Sequence, residues 1–177
     1  LSYDKKMAEA IWFLTFPMIT EQQAQLRLTT LCAQGEHCTQ EMLDKLAKWE
    51  IDEAAQARIM AFLTEKKFID DARFCEAFIQ DKLKYNGWGR RKIAQALYLK
   101  HIDSSISEPL LDEIADDLYM EKLRPLVEKK WKSIKARNDY ERAMKLIQYA
   151  MGRGFDIDLI RKCIQEMGEK TDEDADC

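Results

Sequence analysis

Apolar side chains recur at helical spacing along almost the whole chain, and this pattern constrains the fold more than any other feature. Ala143, Leu146, Ile147, Ala150 and Met151 stand at i, i+3, i+4, i+7 and i+8, one buried stripe. Cys75, Phe78, Ile79 and Leu83 form another. With 6 Gly and 3 Pro in 177 residues, the chain lacks the turn chemistry of a many-stranded sandwich or barrel. The spacing predicts helices near 4–16, 20–34, 39–48, 53–66, 71–86, 89–100, 105–114, 116–133, 139–152 and 157–167. Thr20-Glu21-Gln22-Gln23 reads as a capping box, and Asp70 as an N-cap with Asp71 in the first turn.

The chain also resembles itself. Shifted by 51 residues, Met42 falls on Ile93, Leu46 on Leu97, Ile51 on Ile102 and Asp52 on Asp103. A further shift of 67 puts Ile93 on Ile160, Leu97 on Ile164 and Ile79 on Leu146. Such self-similarity marks a stack of helical units, each covering its neighbour's apolar face. Unequal offsets mean three diverged units, predicting an elongated, curved, all-α body. The units are placed at 20–68, 69–115 and 116–168, after an extension over 1–19. The aperiodic acidic run over 169–177 reads as a disordered tail.

Several function classes find little support. Five widely spaced cysteines without a C-x-x-C point to a reduced, cytoplasmic compartment. Cys32, His37 and Cys38 make the one metal-like grouping, without a fourth ligand or paired spacing, so no metal or cofactor is expected. No apolar run approaches the ~18 residues of a membrane span. Ile11-Trp12-Phe13-Leu14 after Lys5-Lys6 imitates a signal-peptide core but lacks a cleavage site and meets Glu21-Gln22-Gln23 shortly after. Because organised helical patterning begins at Thr20, translation is expected to start at Met18; an intact mass including residues 1–17 would refute this. No phosphate-binding loop, nucleophile elbow or H-E-x-x-H is present. Asp70-Asp71 is explained by capping, and His37 and His101 are lone, so no catalytic residue is proposed.

The net charge of −4 conceals strong alternation. Residues 1–81 carry net −5, 82–102 net +6 with no acid, 103–121 net −7 with no base, 122–153 net +7, and 154–177 net −5. Two readings stand. Opposite blocks can pair locally as solvated helix faces, or the basic blocks can meet a polyanion or an acidic protein groove.

Phe68-Ile69-Asp70-Asp71-Ala72-Arg73-Phe74, then Phe78, then Asn86-Gly87-Trp88-Gly89-Arg90-Arg91-Lys92-Ile93 and Leu97 resemble the central signature of the RecX family. Gly35-Glu36-His37-Cys38-Thr39-Gln40-Glu41 precedes them, and Lys132–Arg137 and Tyr149–Phe155 follow, so the resemblance spans roughly residues 20–167. It implies tandem three-helix repeats and a non-enzymatic regulator that binds the filament of the RecA recombinase on DNA. Such a regulator restrains strand exchange and co-protease action in DNA repair, recombination and the SOS response. Cys38 departs from the family, which often has Ser there; Cys is a poorer N-cap, so Thr39 is expected to cap instead.

The physical roles stand beside the resemblance. Gly87 and Gly89 flank Trp88 in a tight turn, which favours Trp88 as a plug between helices. Arg90, Arg91 and Lys92 open the following helix, where cations oppose the macrodipole by ~0.3–1 kcal/mol each. Their placement there points to an anionic partner, or else to pairing with Asp112, Glu113, Asp116 and Asp117. Lys82 and Lys84 precede the turn; Lys129, Lys130, Lys132, Lys135, Arg137 and Arg153 form a second basic group expected to share its face. The partner candidates are the recombinase filament and single- or double-stranded DNA, met by a monomer. The rival reading is an autonomous nucleic-acid-binding protein of helix–turn–helix type.

Overall fold

A computed structural model describes residues 19–173, with side chains over 19–168. The expected helix at 4–16, the Met18 start and the last residues of the acidic tail lie outside the described residues. Among the described residues there are nine α-helices and no strands: α1 (Glu21–Gln34), α2 (Thr39–Lys48), α3 (Glu53–Glu65), α4 (Asp71–Asn86), α5 (Arg90–Leu99), α6 (Ser104–Asp112), α7 (Asp116–Ser133), α8 (Asp139–Gly152) and α9 (Ile157–Glu173). The architecture is all-α. The last helix runs to Glu173, past the point where an aperiodic tail was expected. Loss of the apolar stripe does not stop a helix when strong helix formers such as Glu169 and Lys170 follow.

Two compact units divide the chain, one ending at Phe74 and the other beginning at Cys75. In the first, α3 packs on α1 and α2. Leu28, Met42, Leu46, Ile59 and Leu63 are fully buried at its centre. Thr20 closes the expected capping box, its hydroxyl accepting from the Gln23 amide at 3.3 Å while its own amide donates to Gln23 Oε1 at 3.1 Å. At α2, Cys38 takes the N-cap position without a side-chain capping bond, and Thr39 does not replace it. The Thr39 amide instead donates to Asp71 Oδ1 at 2.7 Å. This carboxylate, distant in sequence, brings a full negative charge to the helix N-terminus, where the dipole favours it.

In the second unit, α5 packs on α6, and α7, α8 and α9 pack on one another. Ile93, Leu97, Met120, Leu123, Leu146 and Ile160 are fully buried there.

The 51-residue repeat is a repeat of backbone as well as of sequence. Helices α2 and α5 begin and end at equivalent positions. Beyond each, Glu50 (φ +57°) and His101 (φ +57°) are left-handed, and the next residue, Ile51 or Ile102, donates back to Leu46 or Leu97 at 3.1 Å. Asp52 and Asp103 then cap α3 and α6 through their side chains. The terminus turns an apolar residue into the core and starts the next helix within two residues.

Candidate functional site

The candidate surface is built around the turn joining α4 to α5. Gly87, at φ +57°, reverses the chain after Asn86, and the Trp88 amide donates to the Lys82 carbonyl at 3.2 Å. Gly89 is the N-cap of α5. Its amide donates to the Arg153 carbonyl at 2.9 Å, and the Arg91 amide donates to the Gly154 carbonyl at 3.0 Å. Donors left open at the start of α5 are thus satisfied by carbonyls at the end of α8. This requires two glycines: a Cβ on Gly89 would overlap the Gly154 backbone, and a Cβ on Gly154 would overlap Lys92.

Cations gather on aromatic rings around this junction. Trp88 is half-buried, not the core plug its flanking glycines suggested. The Lys92 and Lys82 ammoniums lie 4.7 and 5.7 Å from its ring centroid. Lys82 also lies 5.0 Å from the Phe78 ring and pairs with Asp81 at 2.7 Å. Arg153 donates to the Asn86 carbonyl at 3.2 Å, and its guanidinium sits 5.7 Å from the Tyr149 ring. Lys130 approaches that ring at 5.0 Å. Each such contact contributes ~0.5–1 kcal/mol when exposed and holds the cation near the surface, not in the core. Arg91 is exposed and lines, with Lys92, Gln95, Met151, Gly152 and Gly154, a groove of about 700 Å³.

The basic triplet at the start of α5 is therefore divided. Arg90 pairs with Asp112, the last residue of α6. Arg91 has no ion pair among the described residues, and Lys92 stacks on Trp88. Of Asp112, Glu113, Asp116 and Asp117, only Asp112 pairs with the triplet among the described residues.

The remaining expected residues make other contacts or face solvent. Lys84 is exposed beside Tyr85, 5.1 Å from its ring. Lys129 and Lys132 are exposed near the end of α7. Lys135 and Arg137 are exposed in the following loop, where the Lys135 carbonyl accepts from Lys145 and the Arg137 amide donates to Glu141. Nothing among the described residues ties these five to the Trp88 and Tyr149 rings. Asp70, Asp71, Arg73 and Phe74 belong to the first unit. There Asp70 caps α4 through the Ala72 and Arg73 amides, Arg73 pairs with Glu36 at 2.7 Å, and Phe74 is buried. Tyr149 enters the sequence reading only as the start of a resembling segment, not as a site residue; its spacing of four from Arg153 places both on one helix face and is the available signal.

His37 pairs with Glu41 at 2.8 Å, and Cys32 Sγ lies 3.8 Å from Met42 Sδ. Burial, with Glu36 adding to it, pushes the Cys32 thiol above its ordinary range. Among the described residues no three His, Cys, Asp or Glu side chains gather to hold a metal. Nor is any described helix long and apolar enough to cross a membrane.

Family models for the third and second three-helix domains of RecX match residues 116–164 and 70–109, together half of the chain. A protein of Oceanobacillus iheyensis named regulatory protein RecX is 30% identical over 136 residues, covering 77% of this chain and 50% of that protein. A namesake from Clostridium tetani is 36% identical over 118 residues, covering 65% of this chain and 53% of that protein. The chain thus spans about half the length of these two curated relatives. One from Vibrio campbellii is 29% identical over 149 residues, covering 83% and 91%. The crystal structure of RecX from Lactobacillus salivarius superposes with a TM-score of 0.76 at 24% identity, covering 84% of this chain and 96% of that one, and so shares the fold. Matched over two of its three-helix domains, the chain belongs to the RecX family of regulatory proteins.

Proposed function

We propose that this protein is a non-enzymatic regulator that binds the filament of the RecA recombinase on DNA and restrains it. The observation that carries this reading is the convergence of Lys82, Lys92, Lys130 and Arg153 on the Trp88 and Tyr149 rings, with Arg91 exposed beside them. Two basic blocks far apart in sequence supply it. A positive surface of this kind suits a nucleoprotein with phosphates and acidic side chains in reach. On this reading the three units at 20–68, 69–115 and 116–168 act together, as a monomer, in the cytoplasm.

Co-sedimentation with recombinase filaments, against bare DNA, tests the proposal. A marked preference for coated DNA is expected. Reversing Arg90, Arg91 and Lys92 to Glu should abolish inhibition without unfolding the protein, and unchanged inhibition would sink the reading.

The rival, autonomous binding to nucleic acid, draws on the rings themselves, since bases stack on aromatic side chains flanked by cations. It calls for equal affinity for bare and coated DNA and a steep loss with salt.

A further inference from the structure

Arg90 is the first residue of α5 and Asp112 the last of α6. Each charge stands at the end of its helix that its sign disfavours: a cation at an N-terminus, an anion at a C-terminus. Exchanging them would keep the ion pair and suit both dipoles. Helix stability alone does not account for this orientation, whereas binding of an anion by α5 does. The pair is open to solvent, with side-chain exposures of 33% and 67%, so a competing anion can reach it. Exposed pairs of this kind are weak and screened.

We propose that Asp112 is a specificity-determining residue that occupies Arg90 in the free protein and must be displaced before Arg90 engages an anionic partner. Bare DNA offers Arg90 a phosphate but repels the released Asp112. A protein surface carrying an anion beside a cation satisfies both. Asp112 therefore favours a protein-coated partner over a naked polyanion, which rests on the filament reading and adds a source of its selectivity.

The test uses the full chain and a single-stranded oligothymidylate, titrated at several salt concentrations. Asp112→Asn should bind about two- to fivefold more tightly. Its dependence of log affinity on log salt should steepen by about 0.7, the value for one further phosphate on a single strand. Glu113→Gln removes an equal charge one residue on, from an exposed position outside the pair, and should change much less. In an Arg90→Gln background, Asp112→Asn should add nothing. Equal tightening by Glu113→Gln, a gain that persists without Arg90, or no gain at all would overturn the proposal. Filament co-sedimentation of the unaltered protein reports separately on the function, so a failure of one reading is not mistaken for failure of the other.

Discussion

Gly89 and Gly154 lie backbone against backbone, and this contact sets the cationic surface. The Gly89 amide reaches the Arg153 carbonyl and the Gly154 carbonyl receives the Arg91 amide, at 2.9 and 3.0 Å. Neither position has room for a methyl group, and Gly154 is also left-handed at φ +89°. Gly154→Ala combines overlap with an unfavourable backbone and should cost about 2–4 kcal/mol, and Gly89→Ala about 1–3 kcal/mol. Gly35 has open space and an extended backbone, so Gly35→Ala should stay within about 0.5 kcal/mol. Urea denaturation of the three variants checks the ranking.

The helices were legible because their signals are local. Capping residues, a 3.6-residue stripe and the Ile-Asp that follows α2 and α5 are all written within a few positions of where they act. Asp71 was legible only as a first-turn acid; its bond to the Thr39 amide joins residues 32 apart, and no local pattern carries it. Trp88 misled because flanking glycines imply close packing without saying what packs. Two lysine ammoniums lie over the ring, and a lysine that stacks looks in sequence like one that points to solvent. The blocks of +6 and −7 left pairing and partner binding both open. The fold assigns one arginine of the triplet to an acid and leaves its neighbour exposed.

Asp70 and Asp71 are adjacent yet serve different helices. Asp70 caps its own helix through the Ala72 and Arg73 amides, and Asp71 serves α2 through Thr39. Alanine at either should cost about 1 kcal/mol. Asp71→Ala should raise amide exchange at the start of α2, Asp70→Ala at the start of α4. Hydrogen exchange resolved by residue separates the two; a loss of protection confined to α4 in both variants would contradict the Thr39 contact.

Tyr119 is 2% exposed and its hydroxyl finds no hydrogen-bond partner among the described residues. Burial pushes its ionisation up to about 12 from an ordinary value near 10, with Arg90 pulling it down and Asp156, Asp116 and Asp112 raising it. The native state therefore holds this proton where the unfolded chain has released it. Its contribution is complete below about pH 10 and falls by up to about 1.4 kcal/mol per pH unit until about pH 12. Tyr119→Phe removes an unpaired buried hydroxyl and should stabilise the protein by about 1 kcal/mol at neutral pH, with a larger margin above pH 10. Denaturation of both proteins across pH 7–11.5 decides it; a destabilised phenylalanine variant at neutral pH would show that the hydroxyl is satisfied.

The Arg90–Asp112 pair allows stability and function to be separated in one molecule. Exchanging the residues, as Arg90→Asp with Asp112→Arg, keeps opposite charges facing each other. It also puts an anion at the start of α5 and a cation at the end of α6, where each helix dipole favours it. The double variant should be more stable than the parent by about 0.5–1.5 kcal/mol at low salt, with the gain shrinking as salt is added. Either single reversal sets like charges together and should be less stable than the double variant. If the cation at the start of α5 is there for an anionic partner, the stabilised protein should nevertheless lose recombinase inhibition. Full inhibition by a correctly folded exchange variant would mean that the orientation of the pair carries no function.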